Sequence, residues 1–167
     1  TFLKELGIQV AAVTSPLKLI AKGNTLVVKQ DHLMVTSTDS YGFQILFNQI
    51  EDMNAKIAVW GGDGVLNSIK EVYPDSVFYS ARTGEIKNGQ PFSNPDVIVW
   101  AAPRKSGIKL PRQIFTDWSP KLILDLNYTE NSMGLDCAKD FKCNYISGLS
   151  MFKEQAIHQA KFWKDQS

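Results

Sequence analysis

The stretch AVWGGDGVLNSI, residues 58–69, decides the fold. An apolar run ends at Trp60, three glycines (Gly61, Gly62 and Gly64) follow almost at once, and a helix pattern then continues to about Val72. Strand, glycine turn and helix in that order are the context of a dinucleotide-binding fingerprint. Glycine permits the tight turn and a close backbone approach, and the helix N-terminus favours phosphate charge. The same pattern also suits a plain strand-to-helix connection. Asp63 stands in the middle of the turn, where a side chain obstructs close approach and its charge faces pyrophosphate. One such like-charge pair costs on the order of 4 kcal/mol at about 4 Å and an effective dielectric near 20, unless the carboxylate turns outward.

Working outward, KIAVW (56–60), SVFYSA (76–81), DVIVWAA (96–102), KLILDL (121–126) and NYIS (144–147) read as short, nearly continuous apolar strands. Such runs belong to a parallel sheet covered on both faces. Helices are expected after the glycine turn, over about 132–140 and over about 151–163, where Phe152, Ala156, Ala160 and Trp163 recur at helical spacing. Residues 83–95 read as a polar, turn-rich connection. On the amino-terminal side, IQVAAV (8–13) is a strand, NTLVVK (24–29) and HLMVTST (32–38) form a hairpin about Gln30 and Asp31, and a helix runs from about Tyr41 to Met53. The expected fold is α/β: a doubly wound, mostly parallel Rossmann-like sheet preceded by the remnant of a smaller α/β substrate domain. Its divisions are 1–45 (partial substrate domain), 46–150 (dinucleotide-binding domain) and 151–167 (a helix packing back towards the first). The ligand belongs at the carboxyl ends of the strands.

The tip of the second strand carries a further cue. An Asp or Glu there suits the ribose of NAD, whereas an Arg suits the extra phosphate of NADP. SARTGE (80–85) places Arg82 and Thr83 there, with no acid at the tip itself, which points to NADP. Arg82 also has a plain reading as a solvated surface residue.

Charge is nearly balanced, 18 Lys and Arg against 17 Asp and Glu, so nothing suggests a nucleic-acid or polyanion binder. No apolar run is long enough to span a bilayer. Cys137 and Cys143 have neither redox-pair nor zinc-ribbon spacing, and His32 and His158 lie far apart, so no metal is expected. Free thiols fit a reducing, cytoplasmic setting. Thr1 in place of Met suggests that the natural start lies upstream.

Several stretches together resemble the shikimate dehydrogenase family, in the right order over nearly the whole chain. VTSPLK (13–18) is similar to V-T-x-P-x-K, GNTLVV (23–28) to G-A-x-N-T-V, and STDSYGF (37–43) to N-T-D-x-x-G. AVWGGDG resembles the family's G-A-G-G-A turn, SART its N-R-T, and DVIVWAAP its D-I-V-I-N-T-T-P. Residues 122–163 resemble its D-L-x-Y segment followed by the G-L-x-M-L-x-x-Q-A helix. The resemblance implies oxidation of shikimate to 3-dehydroshikimate with NADP, or the reverse, in aromatic amino acid biosynthesis. It puts the catalytic lysine at Lys18 and its aspartate partner at Asp39. Asn24, Tyr128 and Gln155 fall on substrate positions, and Gly61, Gly62, Gly64, Arg82, Thr83, Gly148 and Met151 on cofactor positions. The chemistry is consistent: a lysine can relay the hydroxyl proton and stabilise developing negative charge, and an amide can both donate to and accept from vicinal hydroxyls. Read without the family, Lys18 is equally a surface lysine, Asp39 a helix N-cap, Asn24 a turn residue, Gln155 an exposed helix residue and Met151 a core residue.

The departures from the family pattern are specific. Asp63 replaces a glycine, Ala81 an asparagine, Ala101 a threonine and Ser37 an asparagine. The strands that carry the family's substrate-gripping serines have no counterpart here, and barely one helical turn fits between Lys18 and Gly23. The substrate domain is therefore expected to be completed by a second copy or another segment. A non-catalytic binding or regulatory domain with weakened cofactor binding is the alternative. A dehydrogenase for another small carboxylated substrate is a third.

Overall fold

The computed structural model describes residues 5–166 except 15–16, 30–31, 53, 92 and 104–106, and gives the backbone alone at Lys18, Leu19 and Asp63. It divides into two compact units, Thr1–Ile45 with Met151–Ser167, and Leu46–Ser150.

In the first unit β1 (Val10–Ala12), β2 (Thr25–Lys29) and β3 (His32–Thr36) form an antiparallel sheet in that order. The pairing of Lys29 with His32 makes the expected hairpin, whose turn residues lie outside the described residues. Only β2 is substantially buried: Thr25, Leu26 and Val27 are covered, whereas β1 and β3 are largely exposed. A single helical turn, α1 (Leu17–Ala21), joins β1 to β2. Helix α2 (Asp39–Phe47) begins two residues earlier than the sequence suggests and ends six residues earlier. Its end is fixed by turns in which Gln49 and Ile50 donate their N–H groups to Leu46 and Phe47.

The second unit opens with β4 (Ile57–Gly61), every residue of which is buried. A 3-10 turn (Asp63–Val65) leads into α3 (Leu66–Val72), then β5 (Val77–Tyr79). There follow β6 (Ile86–Asn88), β7 (Val97–Ala101), a 3-10 turn (Pro111–Gln113), β8 (Leu122–Asp125), α4 (Met133–Phe141) and β9 (Asn144–Ser147). The sheet order is β6-β5-β4-β7-β8-β9, parallel throughout except for β6. The order reverses between β4 and β7, which is the switch point of a doubly wound sheet. The strands read as continuous apolar runs because both faces are covered. Ala58, Trp60, Ile98, Trp100 and Ile123 join one core cluster with Cys137, Ala138 and Phe141 of α4, while Ile57, Val59, Val99 and Leu124, of opposite parity, are equally buried. Burial pushes the Cys137 thiol far above its ordinary range, so it packs as a small apolar residue.

Two features have no pattern in the sequence. β6 forms within the supposed turn-rich connection, as an exposed antiparallel edge strand on β5. The segment after β7 supplies Phe115 and Trp118, stacked at 4.2 Å, which pack edge-on to Trp60 and Tyr79. Helix α4 starts at its N-cap Ser132, whose hydroxyl accepts the Gly134 N–H. The terminal helix α5 (Leu149–Gln166) is longer than the expected 151–163. In the first unit it docks on β2, with Gln159 Nε2 donating to Thr25 Oγ1 at 2.9 Å and Trp163 Nε1 to the Leu26 carbonyl at 3.2 Å.

Candidate functional site

The glycine turn sits at the switch point of the second unit. Gly61 and Gly62 have φ of 87° and 77°, the left-handed region that L side chains rarely adopt. Space is the second constraint. A Cβ on Gly62 would lie 2.5 Å from the Ala101 methyl and 3.0 Å from Val65 Cγ2, and one on Gly61 3.0 Å from the Ala102 Cα. The turn therefore needs glycine for its own geometry and for its approach to the end of β7. Gly64 is exposed within the 3-10 turn, and the side chain of Asp63 is outside the described residues. A strand, two left-handed glycines and a short helix at the switch point fit the phosphate end of a dinucleotide.

The tip of β5 adds a residue to the sequence reading. The sequence places no acid there, yet the turn after β5 folds Glu85 back beside the strand end. Ser80 N–H donates to the Glu85 carbonyl at 2.8 Å, and Gly84 N–H to the Ser80 carbonyl at 2.8 Å. Thr83 Oγ1 donates to Glu85 Oε2 at 3.0 Å. Ser80 Oγ accepts long bonds from the backbone N–H groups of Arg82 (3.4 Å) and Thr83 (3.3 Å). Arg82 and Thr83 are exposed. No linear signal marks Glu85, because its position depends on the turn at Gly84, which has φ of 80°.

Farther along the carboxyl ends, Asp125 is fully buried and, through Asn127, joins the chain after β7, β8 and β9. Its Oδ1 accepts from Asn127 N–H (2.8 Å) and Asn127 Nδ2 (2.9 Å), and its Oδ2 from the Tyr145 hydroxyl (3.0 Å). Asn127 also donates to the Ala102 carbonyl at 3.3 Å, and its own carbonyl accepts the Gly148 N–H at 3.0 Å. Gly148 is required by closeness: a Cβ there would lie 2.8 Å from the carbonyl oxygens of Asp125 and Leu126. Tyr128, on the same loop, is 51% exposed.

In the first unit, two predicted residues converge. Asn24 Nδ2 donates to Asp39 Oδ1 at 3.0 Å and to Thr38 Oγ1 at 3.0 Å, while Asn24 Oδ1 accepts the Thr38 N–H at 2.8 Å and the Thr25 hydroxyl at 3.0 Å. All four residues are buried, Asp39 at 8% exposure. Asp39 is the first residue of α2, where the helix dipole favours negative charge. The Lys18 side chain is outside the described residues. Gln155 is half-buried on α5; one turn further, Gln159 donates to the Asn24 carbonyl at 3.2 Å. Thr25, Thr38 and Gln159 were missed by sequence reasoning, though a four-residue step from Gln155 keeps Gln159 on the same helix face. Met151 packs against Gly42, where an added Cβ would lie 2.8 Å from Met151 Cγ.

Among the described residues no His, Cys, Asp and Glu cluster is arranged to hold a metal, and no helix is long and apolar enough to cross a membrane. A cavity of about 660 Å³ lies at the amino ends of β7, β8 and β9, lined in part by Asp96, Lys121 and Asn144. It is at the opposite end of the strands from the glycine turn and brings together none of the predicted site residues.

No protein-family model matches the chain. It is 25% identical over 170 residues to the shikimate biosynthesis protein AroDE of Chlamydia muridarum, an alignment spanning 89% of this chain and 34% of that relative. The chain thus covers about a third of the length of the curated relative it matches. Among solved structures, shikimate dehydrogenase 1 of Peptoclostridium difficile superposes with a TM-score of 0.77 at 23% identity, over 99% of this chain and 74% of that one. The chain has a shikimate dehydrogenase-like fold. The kinship is one of fold and of distant sequence. The shikimate 5-dehydrogenase of Thermus thermophilus, solved in complex with NADP(H) and shikimate, shares the fold too. It has a TM-score of 0.75 at 20% identity over 98% of this chain and 77% of that one.

Proposed function

We propose that this shikimate dehydrogenase-like chain is an oxidoreductase that moves hydride between shikimate and 3-dehydroshikimate with NADP. The observation that carries the proposal is the buried contact between Asn24 and Asp39, 3.0 Å, at the start of α2. Two polar residues distant in sequence, each expected from the resemblance, meet in one polar cluster. The left-handed Gly61–Gly62 turn at the switch point supports a dinucleotide in the second unit. Bound there, NADP would take up the hydride from the carbinol carbon. Gly61, Gly62 and Gly64 would admit its pyrophosphate, Arg82 and Thr83 its adenosine end, and Gly148, Met151 and Tyr128 the neighbourhood of the reacting ring.

The chain's own residues would handle the proton. Lys18 accepts it from the substrate hydroxyl as hydride leaves, and returns it in the reverse direction. Asp39, held by Asn24, orients the lysine and balances its charge. Asn24 and Gln155 bind the ring hydroxyls. The substrate is a cyclic hydroxy acid, and the setting cytoplasmic. The exposed edge strands β1 and β3 are proposed to pair with a second copy or another segment that completes the substrate domain. The test is to mix the protein with NADP and shikimate and follow reduced-nicotinamide absorbance. Turnover supports the proposal; none, beside a working control enzyme, rejects it.

The second reading, a binding or regulatory domain without catalysis, is favoured by the contacts at the cofactor positions. The Ala101 methyl stands where the family has a hydroxyl, and Thr83 already donates to Glu85. It predicts no rise in melting temperature with excess NADP, since a ligand that binds only the folded state must raise stability.

A further inference from the structure

We infer that Glu85 sets the choice of dinucleotide, and that its carboxylate makes the chain accept NAD about as readily as NADP. The inference rests on the dinucleotide reading proposed above and extends it from NADP to NAD. Glu85 is the sixth residue after Tyr79, the last residue of β5, too far for a strand-tip acid by spacing. The turn removes that distance: Ser80 and Glu85 are bonded main chain to main chain at 2.8 Å. Glu85 therefore stands at the tip where a ribose-binding acid belongs in this fold.

Three groups that could serve a 2′-phosphate are already engaged. The Thr83 hydroxyl donates to Glu85 Oε2 at 3.0 Å, and the N–H groups of Arg82 and Thr83 point to Ser80 Oγ. A phosphate brought to Thr83 would meet a carboxylate in hydrogen-bond contact with that same hydroxyl. A ribose 2′-hydroxyl, in contrast, can donate to the carboxylate. Arg82, exposed beside them, is the group that still favours the phosphate. The two opposing charges leave little net discrimination. At an exposed site the like-charge penalty is softened by water and salt, which puts the effect of Glu85 at about tenfold.

The experiment is calorimetric titration of the whole chain with NAD and with NADP, for the wild type and for Glu85→Gln. The substitution keeps the side-chain size at an exposed position. The inference predicts comparable affinities in the wild type, with Glu85→Gln binding NADP about tenfold more tightly and NAD no better. A wild type that prefers NADP by tenfold or more, with both affinities unchanged in Glu85→Gln, would overturn the inference and leave the dinucleotide reading standing. Absence of binding by either nucleotide to either protein would overturn both.

Discussion

Replacing Gly62 by alanine tests the account of the switch point. Three contributions can be worked from the structure. The backbone at Gly62 has φ of 77°, which costs an L residue about 1–2 kcal/mol. The new methyl would lie 2.5 Å from the Ala101 methyl. Both carbons are fixed by backbone, so neither can swing away, and overpacking of this kind costs about 1–3 kcal/mol. Against these, alanine restricts the unfolded chain and returns about 0.4–1 kcal/mol. The net expectation is a loss of about 2–4 kcal/mol for the second unit. Urea unfolding followed by tryptophan fluorescence reads it directly, because Trp60, Trp100 and Trp118 are all buried in that unit's core. Ala101→Gly is the companion variant. Alone it costs about 1 kcal/mol as a strand glycine; combined with Gly62→Ala it removes the methyl–methyl clash and leaves the dihedral cost and the 3.0 Å approach to Val65 Cγ2. The pair should therefore be less destabilised than the sum of the single variants, by about 1–3 kcal/mol. Equal stability of Gly62→Ala and wild type, or strict additivity in the double variant, would contradict the clash.

Two further outcomes are expected. Asn24→Ala leaves the Thr38 N–H and the Asp39 carboxylate in a buried cluster without their amide partner, and should cost about 2–4 kcal/mol in chemical denaturation of the first unit. Asp96 is held below the usual carboxylate range, first by the Lys56 backbone N–H and then by Lys121 at 3.2 Å. Because the folded state holds this proton less tightly than the unfolded chain, the stabilisation is present above the unfolded carboxylate pKa of about 4 and is lost as pH falls through the lower folded value. Denaturation profiles of wild type and Asp96→Asn should accordingly differ near neutral pH and converge in acid.

Much of the second unit could be read from its residues. Ile57–Gly61, Val97–Ala101 and Leu122–Asp125 are continuous apolar runs because helices and loops cover both faces of the sheet, and burial on both faces is what such runs record. The hairpin of β2 and β3 was equally plain. β6 was not, since Ile86–Asn88 is an exposed edge whose pairing comes from the turn before it rather than from side-chain pattern. The stack of Phe115 on Trp118 was hidden for a similar reason: both residues lie in irregular chain, where no period marks the buried positions. In the site, Asn24 and Asp39 were reached through the family resemblance, because neither stands out by spacing. Glu85 escaped both routes. Its role depends on a chain reversal at Gly84, and distance along the sequence says nothing about that.

Asp39, held by Asn24, is proposed to serve a proton-transfer group beside bound shikimate. The most direct measurement is the rate of shikimate oxidation with NADP by wild type and by Asp39→Asn, together with the melting temperature of each. Turnover by the wild type is expected, with a fall of about 10²–10⁴-fold in the variant and the fold retained. Equal rates in the two proteins, or a wild type that binds the dinucleotide and never reduces it, would contradict it.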